Sequence, residues 1–194
     1  ERAEVQVTGG ARDSTVEVIV ATEHDAEGRR LTRLNTGSED RDSEGTSYLE
    51  PVSAHDNDAC AHPVFSRMFV KTEIGRRGDV IRATRNKRSP GDASMWVAHL
   101  AADNAGSSRP TEFETDRRRF LGRGRSLSEA AAFDQDATLS GTDGFTLDPI
   151  MSLRRVVRVP AGKKATVIFW TIAAPIREEL DVAIERYRHA DAFG

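Results

Sequence analysis

Residues 153–174 read LRRVVRVPAGKKATVIFWTIAA. Two runs rich in β-branched and aromatic residues, 153–160 and 164–174, flank the turn signal Pro160-Ala161-Gly162. β-branched residues interleave with charges in the first run, and both runs carry a strand pattern. The same rhythm recurs in AEVQVT (3–8), STVEVIVAT (14–22), RRLTRLNT (29–36) and GTSYLEPV (45–52). It continues in FSRMFVKTEI (65–74), GDVIRATR (78–85), MWVAHLAA (95–102) and RPTEFET (109–115). Turn signals such as Gly9-Gly10, Asn35-Thr36-Gly37 and Ser89-Pro90-Gly91 separate them. Ten short strands joined by polar turns predict a mainly all-β chain folded as an antiparallel β-sandwich, not alternating β-α units.

Two segments interrupt the rhythm, and the end changes it. Residues 37–44, GSEDRDSE, predict a hydrophilic hairpin tip or a disordered loop. Residues 122–148, rich in Gly, Ser, Ala and Asp, are too long for a turn and are expected to wrap across the sandwich. From Pro175 the period becomes helical, with Ile176, Leu180, Ile184 and Tyr187 on one stripe and Pro175 suited to a first turn. The expected division is a β-sandwich domain over 1–174 and a C-terminal helix over 175–194 that leads into a following domain.

Composition bounds the function. The 194 residues carry 28 basic and 31 acidic side chains, a net charge of −3 that does not advertise a nucleic-acid protein. No apolar run approaches the length of a membrane span. The chain opens on Glu1-Arg2-Ala3, which reads as a segment of something longer. A single cysteine, Cys60, excludes an internal disulfide framework and suits a reducing compartment.

The most conspicuous candidate site is ETDRRRFLGRGRS (114–126), with five arginines and two glycines. Its Gly122-x-Gly124 lacks the third glycine of a dinucleotide loop and the Gly-Lys-Ser/Thr of a P-loop. A tight corner is expected instead, with Phe120 and Leu121 plugging the core and Asp116 pairing with a neighbouring arginine. Arg76, Arg77, Arg82, Arg85, Lys87 and Arg88 read as a solvated strand face. His55, Asp56, Asp58, Cys60 and His62 crowd one polar loop without metal-ligand spacing, and Cys60 has no sign of an oxyanion site beside it. Glu112 and Glu114 share a strand face, as the paired carboxylates of a glycosidase do, but two carboxylates are unremarkable in so charged a chain. No complete catalytic set emerges, and neither metal nor cofactor is expected.

Several ordered blocks resemble one family. They are Tyr48-Leu49-Glu50-Pro51-Val52, His62-Pro63-Val64-Phe65-Ser66, Phe69-Val70-Lys71-Thr72-Glu73, Ala83-Thr84-Arg85 and Arg88-Ser89-Pro90. Glu114-Thr115-Asp116-Arg117 with Phe120-Leu121-Gly122-Arg123-Gly124-Arg125 follows, then Leu139-Ser140-Gly141-Thr142, Leu147-Asp148-Pro149-Ile150 and Ser152-Leu153-Arg154-Arg155. In this order, from about Val16 to Phe193, they resemble the β-sandwich module of bacterial cyclic β-1,2-glucan synthases, related to the N-terminal domain of cellobiose and chitobiose phosphorylases of glycoside hydrolase family 94.

The resemblance implies a supersandwich of galactose mutarotase-like type. It also implies a parent that makes β-1,2-glucan by glycosyl transfer and is embedded in the bacterial inner membrane, with this segment on the cytoplasmic side and off the membrane. Catalytic residues of the phosphorylases belong to a barrel that follows the sandwich, so none is carried over. The expected role is a noncatalytic scaffold whose partners are neighbouring domains of the same parent chain. The alternative is a carbohydrate-binding module that grips β-glucan. Trp96, Asp116, Arg117, Arg123 and Arg125 are the candidate glycan-contacting or interdomain residues. Guanidinium groups can hydrogen-bond sugar hydroxyls and an exposed Trp96 or Trp170 could stack on a ring, although both tryptophans sit in apolar strand patterns that favour the core.

Overall fold

The computed structural model describes residues 2–9, 12–51, 70–85, 95–104, 106–107 and 109–189. In chain order these form β1 (Arg2–Gly9), β2 (Arg12–Val20), β3 (Ala26–Asn35), β4 (Arg41–Thr46), β5 (Val70–Ile74), β6 (Val80–Arg85) and β7 (Trp96–Asp103). Then come β8 (Glu112–Asp116), helix α1 (Arg117–Leu121), two 3-10 turns (Leu127–Glu129, Ala131–Phe133), β9 (Gly144–Phe145), β10 (Pro149–Val159), β11 (Lys164–Ala174) and helix α2 (Arg177–Tyr187). Eight strands pair in the order β1-β2-β3-β11-β7-β6-β5-β9, and three in the order β4-β10-β8. Every pairing is antiparallel. The fold is the mainly β, antiparallel sandwich with a C-terminal helix that the alternation predicts.

The two runs of 153–174 belong to different sheets: β10 is central in the small one and β11 lies between β3 and β7 in the large one. The Pro160-Ala161-Gly162 turn therefore carries the chain from sheet to sheet, as residues 36–40 do from β3 to β4. Asn35 ties these crossings together. Its buried amide donates to the carbonyls of Glu39 (2.7 Å) and Val159 (3.0 Å), and its backbone bonds Gly162 and Lys163.

Alternation along β11 sorts its side chains between two cores. Ala165, Val167 and Phe169 meet Met151, Leu153, Val157 and Val159 of β10 between the sheets. Ile168, Trp170 and Ile172 point the other way, with Val80, Ala98 and Leu100, onto Leu180, Ala183, Ile184 and Tyr187 of α2. The Trp170 indole lies over Gly28 of the paired strand, where an added Cβ would fall within 2.7 Å of the ring. A third cluster, Phe120, Leu121, Ala130, Ala132, Leu139 and Ile150, lies where residues 120–139 cover β10 on the side away from the large sheet. This is the wrap that the composition of 122–148 predicts.

Two expectations need correction. The hydrophilic 37–44 segment is only partly a turn, because Arg41–Thr46 forms β4. As an edge strand it has little to bury, and its charges meet partners across the ladder, with Arg158 3.2 Å from Asp42. Ile176 is the N-cap of α2 and half exposed, so the buried stripe begins at Leu180 and gains Ala183; Pro175 precedes the cap instead of entering the first turn. The arginines 117–119 open a single helical turn that the strand patterning does not foretell.

Candidate functional site: an arginine–glycine corner and a polar cleft

The corner forms because Asp116 ends β8 and caps α1. Its Oδ1 accepts a hydrogen bond from the Arg118 backbone N–H at 2.8 Å, while its ion contact with Arg119 is long at 3.9 Å. Gly122 closes the turn with φ +81°, close enough to Ala131 that a Cβ would crowd it at 3.0 Å. Phe120 and Leu121 are buried as plugs.

The arginines divide by role. Arg117 donates to Tyr48 Oη (3.1 Å), Glu50 Oε1 (3.1 Å) and Asp148 Oδ2 (3.3 Å), drawing three chain segments together. The Tyr48 hydroxyl in turn donates to Glu50 at 2.6 Å, and burial followed by that carboxylate pushes its pKa up to about 12. The bond to Tyr48 raises the pKa of Arg117 further. Arg125 grips Asp134 through both oxygens, at 2.7 and 2.8 Å. Arg118 and Arg123 are exposed and form no ion pair among the described residues.

Trp96 is not part of this corner. It is half-buried at the edge of the helix-side core, with the Arg177 guanidinium 5.1 Å above its ring. Trp170 is fully buried and packs on Tyr187 at 4.4 Å, so the core placement holds for it. Arg82 does not belong to a solvated face: its side chain is largely covered and bonds Asp181 of α2 at 2.7–2.8 Å. Lys87, Arg88 and the 55–62 histidine, aspartate and cysteine group lie outside the described residues.

Glu112 and Glu114 hold the wrap. Glu114 is 2% exposed and accepts from the N–H groups of Thr115 (2.9 Å), Asp116 (3.0 Å) and Ser140 (3.2 Å) and from Thr142 Oγ1 (3.1 Å). Glu112 accepts from the Leu139 N–H at 2.9 Å and lies 3.4 Å from Arg154. Arg154 is 4% exposed; its guanidinium donates to the carbonyls of Ala137 (2.7 Å) and Ala132 and pairs with Glu44 at 3.1 Å. Beside this network an open cleft of about 370 Å³ runs between the small sheet and residues 132–138.

Residues 2–190 match the glycosyl hydrolase 94 supersandwich domain family. The chain belongs to that family. This supersandwich domain is 68% identical, over 193 residues, to the cyclic beta-(1,2)-glucan synthase NdvB of Rhizobium meliloti (strain 1021), of which it spans 7%. Among solved structures it resembles a chain described as a kojibiose phosphorylase from the human microbiome, with a TM-score of 0.52 at 8% identity, over all of this domain and 21% of that chain. A polysaccharide lyase matches at a TM-score of 0.51 and 13% identity, over 93% of this domain and 23% of the lyase. At such identities the likeness is one of fold.

Two elements of the supersandwich escape a reading of sequence. His99 lies between the sheets, with Nε2 2.7 Å from Ser47 Oγ and Nδ1 3.2 Å from Thr171 Oγ1, stacked on Phe169. Burial, then the Arg29 charge, lowers its pKa to about 4, so the ring is neutral near pH 7. Arg154 stands next to Arg155 on one strand, so the pattern does not tell which of the two faces solvent; the wrap above it makes Arg154 the buried one. Among the described residues no cluster of three or more His, Cys, Asp or Glu could hold a metal, and no helix is long and apolar enough to cross a membrane.

Proposed function

We propose that this domain is a noncatalytic supersandwich module of a cyclic β-1,2-glucan synthase, a rigid piece that orients neighbouring domains of the same chain. The 68% identity over its whole length to a protein of that name carries the reading. The carboxylates of the site support it: Glu112 and Glu114 are spent on backbone N–H groups and Arg154, which are structural contacts. The exposed Arg118 and Arg123 then serve as interdomain surface, on the cytoplasmic side of a bacterial inner membrane. In the test, the purified chain is incubated with β-1,2-glucooligosaccharides, with and without inorganic phosphate. The expected result is neither glucose 1-phosphate nor a longer glucan. Turnover that disappears on substituting a residue of this chain would sink the reading.

A further inference from the structure

We propose that the polar cleft between the small sheet and residues 132–138 is a docking subsite for a neutral polyhydroxyl ligand, a short stretch of glucan. Its volume of about 370 Å³ is that of a small-ligand site. Its lining sets four carboxylates, Glu44, Glu112, Asp134 and Asp136, against the guanidinium groups of Arg109 and Arg154. That excess of acid disfavours an anion, and the polar walls disfavour an apolar guest. A bare cation is no better served, because Glu44 and Glu112 are held by Arg154, and Asp134 by Arg125.

What remains suits hydroxyl groups. Arg109 is an exposed donor and Asp136 an exposed acceptor, and neither has an ion pair among the described residues. Phe133 lines the same cleft and is 52% exposed, and its ring makes an edge contact with Phe120 (5.7 Å, 85°). An exposed ring beside uncommitted donors and acceptors is what a sugar ring requires, apolar C–H face on one side and hydroxyls around it. Arg154 braces the far wall through the Ala132 and Ala137 carbonyls, so the cleft does not have to be assembled by the ligand. The arginine corner offers less: its ring, Tyr48, is packed on Phe120 and committed to Glu50.

The choice of β-1,2-glucan as ligand rests on the synthase reading; the polyol chemistry of the cleft does not. The test is an amide chemical-shift titration of the chain with linear β-1,2-glucooligosaccharides, and separately with maltotetraose. Saturable shifts are expected at Arg109 and at residues 132–138, with a dissociation constant near about 1 mM. Phe133→Ala and Arg109→Ala should each weaken binding about fivefold, while Phe145→Ala, at the β9 edge, should not. Arg109 is exposed, so its variant reports on binding even if loss of the Phe133 ring disturbs the wrap. Equal binding of maltotetraose in the cleft would keep the polyol site and overturn a preference for the β-1,2 linkage. The proposal is overturned if neither sugar shifts residues 132–138, or if both substitutions leave the affinity unchanged.

Discussion

Two faces of this sandwich are covered by chain that is not sheet, and they are covered by different physics. On the large sheet, α2 lays Leu180, Ala183, Ile184 and Tyr187 onto Trp170, Ile172 and Leu100. Burial of apolar area holds it, and charge pairs such as Arg82–Asp181 only trim its edge. On the small sheet, residues 122–143 bring a modest apolar cluster, and side chains of β8 and β10 seize their backbone groups: Glu112 at Leu139, Glu114 at Ser140, Arg154 at Ala132 and Ala137. A helix satisfies its own backbone and needs only a stripe, whereas a wrap without regular structure must be given hydrogen-bond partners one by one. The wrapped side is also the one with room beside it for a ligand.

The comparison breaks most directly at Leu180, which is fully buried between helix and sheet. Leu180→Ala should cost about 4 kcal/mol in urea unfolding, through lost transfer energy and a cavity that the rigid sheet cannot close. A loss below about 1 kcal/mol would mean that the helix is not held by packing.

Between these covered faces lies the seam of the two sheets, where His99 gives a pH-dependent reading. Its folded-state pKa of about 4 lies below the ordinary 6.5, so between those values the unfolded chain binds the extra proton. The stability at stake is fully present above pH 6.5 and is lost as pH falls toward 4, by up to about 3 kcal/mol. Denaturant midpoints measured across that window for the protein and for His99→Gln should converge toward acid. Parallel curves would show that the ring is already protonated or solvated in the folded state.

Much of the architecture was legible because it is written in apolar period. The strands of 153–174 and the stripe from Leu180 to Tyr187 announce themselves. The corner was legible in outline, since Gly122 and Gly124 mark a turn, but not the division of labour within it: Arg117 and Arg125 are tied to the carboxylates of Glu50, Asp148 and Asp134 that only the fold brings near. Trp96 lies at the edge of the helix-side core beneath Arg177, a setting that alternation does not tell, because it gives the face of a strand and not what covers it. The cleft was invisible, for Phe133 stands in an alanine-rich stretch with no strand or helix period, and the pattern does not tell which of Arg154 and Arg155 faces solvent.

The finest test of the comparison is a change of one atom type in the wrap. Both oxygens of Glu114 accept: Oε1 from Thr115, Asp116 and Thr142, and Oε2 from the Ser140 N–H. In Glu114→Gln the amide can keep its oxygen toward the first three, but its NH2 then meets the N–H of Ser140, donor against donor. One buried bond is lost and one N–H is left without a partner, a cost of about 2 kcal/mol, half that expected at Leu180. Its distribution matters more than its size. Ser140 to Thr142 should lose amide-exchange protection through local opening, while α2 and β11 exchange only as fast as the reduced global stability dictates. If Ser140 keeps its protection while the helix loses its own, the wrap is held by its apolar cluster and the two faces are covered in the same way after all.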